Sequence, residues 1–171
     1  MRATNGRLLA VLLVQFAILA AIPFRQVRAR AVGAEITLAT LPVDPRDLLS
    51  GHYVTLRYEA EIPRGLAELG APADATVWVV VARGEPAWRP VAVAVAHPAT
   101  GPDQVAIRAR QVDGRAVIPS AQRFYIPEAR QDEVNRALLA TRGAGLVDVR
   151  VDPDGNVALV RLRVGDVVVD K

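Results

Sequence analysis

Leu146-Val147-Asp148-Val149-Arg150-Val151-Asp152-Pro153-Asp154-Gly155-Asn156-Val157-Ala158-Leu159-Val160-Arg161-Leu162-Arg163-Val164 is the stretch whose reading decides the fold. Val147, Val149 and Val151 alternate with Asp148, Arg150 and Asp152, a period of two that gives a strand one apolar and one polar face. Asp152-Pro153-Asp154-Gly155 then carries the residue types of a tight reversal. The spacing predicts an antiparallel hairpin of strands 146–151 and 157–164. Working outward, segments of the same character recur, divided by Gly, Pro and Asp. They are Glu35–Ala39, Tyr53–Ala60, Ala75–Arg83, Arg89–Ala96, Gln104–Gln111 and a short Val167–Val169.

One segment has the helical period instead. Val134, Ala137, Leu138 and Thr141 form a stripe, with Arg130, Asp132, Glu133 and Arg136 outside it. Pro127 and Glu128 suit the start of that helix and Gly143 its exit. Gly65–Leu69 is a candidate for a short second helix. The predicted fold class is α+β, mainly antiparallel β, as a sheet or partly open barrel with one main helix. It covers residues 31–171.

Residues 1–30 read differently. Leu8 to Phe24 is apolar except for Gln15, and as a helix it would span about 26 Å against a hydrocarbon core of roughly 30 Å. Flanking arginines can reach the headgroups and close the gap. No helical period leaves a polar face there, so a single N-terminal transmembrane helix with basic flanks is expected, in contact with lipid through residues 8–24. Ala29-Arg30-Ala31 loosely fits a signal-peptidase site, but Arg25 and Arg28 lie between it and the apolar run, so a retained anchor is favoured. Arginines on both sides nearly balance the positive-inside rule. The very short N-terminal tail favours a cytoplasmic N-terminus, with the domain periplasmic or otherwise extracytoplasmic at a bacterial inner membrane.

Charge supports the same division. The formal net charge is +3, yet Arg2, Arg7, Arg25, Arg28 and Arg30 fall in the first thirty residues, which hold no acid. The rest carries 16 basic against 18 acidic residues. A phosphate-tracking face, and with it a nucleic-acid partner, is not expected. The absence of cysteine excludes disulfides and thiolate metal sites.

The densest polar stretch is Leu41–Tyr58, in which two prolines and Gly51 impose turns before a strand at Tyr53. Val54, Leu56 and Tyr58 should share one face, with Tyr53, Thr55 and Arg57 on the other. Asp44, Arg46 and Asp47 could cluster at the strand's entry, and carboxylates in such turns most often accept backbone N–H bonds. Asp44-Pro45-Arg46-Asp47-Leu48-Leu49-Ser50-Gly51-His52-Tyr53-Val54-Thr55-Leu56-Arg57-Tyr58 resembles the signature of the GDYXXLXY family of bacterial membrane-anchored proteins. Gly51, Tyr53, Leu56 and Tyr58 match it, and His52 stands where the family has aspartate. Arg123-Phe124-Tyr125-Ile126-Pro127-Glu128 resembles a second family segment. The resemblance implies an architecture of one membrane helix and an exported domain, frequently associated with a polytopic membrane protein. It implies no activity, and the histidine argues against a required catalytic carboxylate at position 52.

Other chemistry is thinly supported. His52 and His97 are the only histidines and lack the spacing of a metal pair. No metal or other cofactor is expected. Gly-Asp-Val-Val-Val at 165–169 and Gly-His-Tyr-Val at 51–54 resemble turns of signal-peptidase-like β folds, but the only lysine, Lys171, is a poor base for Ser50 or Ser120. Asp44, Asp47, Glu59, Glu61 and Glu128 could pair for hydrolysis, as could acids in any such chain. Trp78 reads as core. Trp88 reads as packing or, if exposed beside a groove, as a sugar platform.

The reading that follows is a non-enzymatic, membrane-anchored accessory domain associating with an integral membrane protein. Its candidate surface is Asp44, Arg46, Asp47, Gly51, His52, Tyr53, Leu56 and Tyr58 with Arg123, Tyr125 and Glu128. The alternatives are an envelope hydrolase or peptidase of signal-peptidase-like fold, with a pocket near Ser50 or Asp44/Asp47, and a carbohydrate- or peptide-binding module.

Overall fold

The computed structural model describes residues 11–19, 27–42, 49–50 and 53–171. Eleven strands are described: β1 (Ala34–Ala39), β2 (Leu49–Ser50), β3 (Tyr53–Thr55), β4 (Thr76–Ala82), β5 (Arg89–Ala94), β6 (Gln104–Val112), β7 (Arg115–Val117), β8 (Arg123–Tyr125), β9 (Leu146–Val151), β10 (Val157–Val164) and β11 (Val167–Asp170). They form three antiparallel sheets of order β1-β9-β10-β11, β5-β4-β6-β7 and β2-β3-β8. The chain is mainly antiparallel β with few helices.

Val-rich alternation builds the two larger sheets. Val77, Val79 and Val81 of β4 and Ile107 of β6 point inward and are fully buried, facing Val147, Val149 and Val151 of β9. Each such side chain contributes about 1.5–3 kcal/mol by leaving water. The β9–β10 hairpin forms as the sequence predicts, with Gly155 in its turn at φ +74°. A bulge between Leu159 and Arg161 resets the alternation, so that Leu159 and Leu162 both face the core although three residues apart.

The sheets are stitched at their edges. Trp88 N–H donates to Thr37 O on β1, and Arg108 N–H on β6 donates to Gly155 O in the hairpin turn. Leu56 N–H donates to Gln122 O and Leu41 N–H to Arg57 O, which seats the small sheet against the others. One core results.

Several expectations are corrected. The strand expected over 53–60 ends at Thr55; Tyr58 makes a single bridge to Thr40, and Glu59–Glu61 is a 3-10 turn ahead of Pro63. The main helix is Gln131–Ala140, preceded by a 3-10 turn at Glu128–Arg130, because Pro127 is extended (φ −55°, ψ 137°) rather than helical. Its stripe is as read: Val134 and Leu138 are buried, and Gly143 follows at φ +79°. Gly65–Leu69 forms turns and no helix, since Gly65 sits at φ +85°. β7 and β8, three residues each, carry too little alternation to be read from sequence.

The outer face of β1-β9-β10-β11 is less wet than alternation implies. Asp148 is nearly buried, accepting Thr37 Oγ1–H at 2.7 Å and Arg163 Nη2–H at 2.6 Å, with Arg161 at 3.9 Å. Trp78, expected in the core, lies half-buried on the outer face of β4 with His97 edge-on at 4.3 Å between ring centroids. Trp88 packs partly against the core.

Residues 11–19 are helical and exposed, and the rest of the expected span, 8–10 and 20–24, lies outside the described residues. Among the described residues no helix is long and apolar enough to cross a membrane. Residues 27–32 form a short helix whose Ala29 is fully buried. That helix is held to the hairpin by Arg28 with Asp154 at 2.6 Å and by Arg150 donating to Arg30 O.

Candidate functional site

Alternation in two short strands creates the site. β3 and β8 pair with Tyr53 opposite Tyr125, Val54 opposite Phe124 and Thr55 opposite Arg123. Val54 and Phe124 point inward and are fully buried. The remaining four side chains therefore share the outer face. There Tyr53 and Tyr125 lie 5.8 Å apart between centroids, tilted by 58°. The Arg123 guanidinium sits over the Tyr53 ring at 5.1 Å, the diagonal cross-strand neighbour. Lys171 Nζ is 6.0 Å from the Tyr125 ring, and partial burial and then the Arg30 charge lower its pKa from the ordinary value. Tyr125 is 55% exposed. Two aromatic rings carrying two cations thus stand at the surface on a rigid ladder.

Val54 of β3 and the chain just beyond it turn the opposite way, into the core. Leu56 and Tyr58, matched to the family signature, are buried. Tyr58 Oη–H donates to Ala121 O at 2.7 Å. Beside it lies Glu61, also fully buried, which accepts Ile118 N–H at 3.4 Å through Oε1. Its Oε2 faces Arg115 Nη1 at 3.5 Å but accepts no hydrogen bond. Burial pushes the Glu61 carboxyl above its ordinary value, while the Ile118 N–H and then the Arg115 and Arg57 charges pull it back. Burial, and then the Glu61 charge, push the Tyr58 phenol well above its own. Tyr58 is thus a core pillar rather than a contact residue. Nothing in the sequence marks Glu61 for burial; it lies three residues beyond Tyr58 in a stretch that reads as strand end.

Of the surface expected from sequence, Tyr53, Arg123 and Tyr125 come together, whereas Leu56 and Tyr58 support them from beneath. Glu128 is exposed in the following 3-10 turn, where its carbonyl oxygen accepts the Gln131 N–H. Asp44, Arg46, Asp47, Gly51 and His52 lie outside the described residues, as does the Ser50 side chain. Among the described residues no three His, Asp or Glu side chains gather as metal ligands. The arrangement can stack and donate hydrogen bonds.

A family model described as GDYXXLXY protein matches residues 15–162. No curated protein and no solved structure matches the chain.

Proposed function

Because this chain belongs to the GDYXXLXY family, whose signature strand builds the aromatic face, we propose that it is a membrane-anchored, extracytoplasmic accessory domain. In this reading it binds a polytopic integral membrane protein through the outer face of β2-β3-β8. The observation that carries the reading is Tyr125, exposed yet held by Tyr53 and flanked by Arg123 and Lys171. Tyrosine and arginine are the side chains that most often dominate binding energy at protein interfaces, because they offer large, stiff contact area and hydrogen bonds together. Two features support the anchor: the exposed apolar helix at 11–19, and the burial of Ala29, which disfavours cleavage at 29–31.

The test is crosslinking in native membranes. The chain should capture an integral membrane protein, and Arg123→Ala with Tyr125→Ala should reduce co-purification at least about tenfold, the scale of one interface hot spot, without changing thermal unfolding. Protease should reach the domain in spheroplasts and spare it in intact cells. Capture of no membrane protein, or undiminished co-purification by the double variant, overturns the reading.

A further inference from the structure

The β9–β10 turn does more than close a hairpin. It seats on the free edge of β6, where Gly155 O accepts Arg108 N–H at 3.0 Å, and walls off a cleft of about 580 Å³ against the outer face of β4 and β6. Arg28, Trp78, His97, Arg108, Asp152, Asp154 and Asn156 line it. The size falls within the usual range of small-molecule sites, about 300–1,000 Å³.

The walls are stiff. Asp152, 3% exposed, has its Oδ1 occupied by the N–H groups of Asp154 and Asn156 and by Asn156 Nδ2, and its Oδ2 by Asn156 Nδ2. His97 Nε2 lies 3.0 Å from Pro153 O, and the imidazole stands edge-on to Trp78. Arg28 is neutralised by Asp154.

Arg108 is different: its guanidinium has no hydrogen bond or ion pair among the described residues, and it sits directly opposite Trp78 in the β4–β6 ladder. Arg28 and Arg108 balance the charges of Asp154 and Asp152 in the lining, but the Asp152 oxygens are taken up by the turn, so Arg108 is the cation left without a partner among the described residues, beside an indole ring and with hydrogen-bonding groups around them. An aromatic ligand would cover those polar groups without pairing them. A sugar has both an apolar ring face for the indole and hydroxyls for the rim, and the free cation selects an acidic one. We propose that this cleft binds an acidic sugar, its ring face on Trp78 and its carboxylate on Arg108.

The test follows the Trp78 indole N–H by nitrogen-15 NMR in the full chain in detergent micelles, the signal being assigned with Trp78→Phe. Sodium glucuronate should move it saturably, with glucose binding at least about tenfold more weakly and sodium acetate leaving it in place. Arg108→Gln, a change at an exposed side chain, should weaken glucuronate about tenfold, as expected for loss of one charge-assisted contact, and leave glucose unaffected. The proposal is overturned by any of three results: no saturable shift up to about 50 mM glucuronate, an equal shift with acetate, or unchanged glucuronate affinity in Arg108→Gln.

Discussion

Gly155 and Gly114 hold nearly the same backbone conformation, φ +74° and +73°, in different surroundings. A Cβ at Gly114 meets nothing within 4 Å. At Gly155 it would lie 2.5 Å from Trp78 Cζ3, 2.8 Å from Arg108 N and 3.0 Å from Ala106 O. The indole could swing aside, but the two backbone atoms belong to the β6 ladder and cannot. Gly114→Ala therefore meets only left-handed strain, about 1–2 kcal/mol. Gly155→Ala adds the clash, about 1–3 kcal/mol more on the scale of overpacked sites. Its total, about 2–5 kcal/mol, is a large part of the roughly 5–15 kcal/mol by which a domain is stable. Urea unfolding of the two variants, followed by tryptophan fluorescence, measures the difference. Losses equal to within about 0.5 kcal/mol would refute the seating of the hairpin turn on β6, and with it the closure that forms the cleft.

Two further outcomes follow from the buried pair under the motif strand. Glu61 has a raised pKa in the folded chain, so between the ordinary carboxylate range and that raised value the native state binds more protons than the unfolded chain. Stability then falls as pH rises through this window. Glu61→Gln should abolish that fall, measured by urea unfolding at a series of pH values; an unchanged slope assigns it elsewhere. Tyr58→Phe removes the donor to Ala121 O at 2.7 Å and leaves a buried carbonyl unpaired, a loss of about 1–3 kcal/mol. A loss below about 0.5 kcal/mol would mean the hydroxyl is not needed there.

What could be read from the chain was whatever repeats locally. Val147, Val149 and Val151 announce their face by spacing, and the Asp152–Gly155 turn by composition, so the hairpin, most long strands and the helix stripe were legible. The motif strand was legible as a pattern of faces but not in length, because its end depends on Tyr58 crossing to pair with Thr40 in a different segment. Three-residue strands such as β7 and β8 hold too few residues for any period to show. β7 pairs with β6 across the Asp113-Gly114 turn, whereas β8 finds its partner in β3, distant in sequence. Trp78 was misread for a related reason: a strand shows two faces, and which one meets a neighbouring layer depends on the packing.

The candidate surface divides along the same line. Tyr53, Arg123 and Tyr125 were each singled out from local sequence, yet only the β3–β8 register makes them one cluster. The Trp78–Arg108 cleft gave no local signal, since its residues come from the stretch before the domain's first strand, β4, the loop after β5, β6 and the hairpin turn.

The amino-acid order alone determined where apolar side chains alternate and where the chain must turn, because these depend on neighbours a few bonds apart. Tertiary structure alone decided that Glu61 is buried, that Trp78 lies on an outer face and that the Arg108 guanidinium has no partner among the described residues. Desolvation and pairing depend on groups brought together across the whole length of the chain.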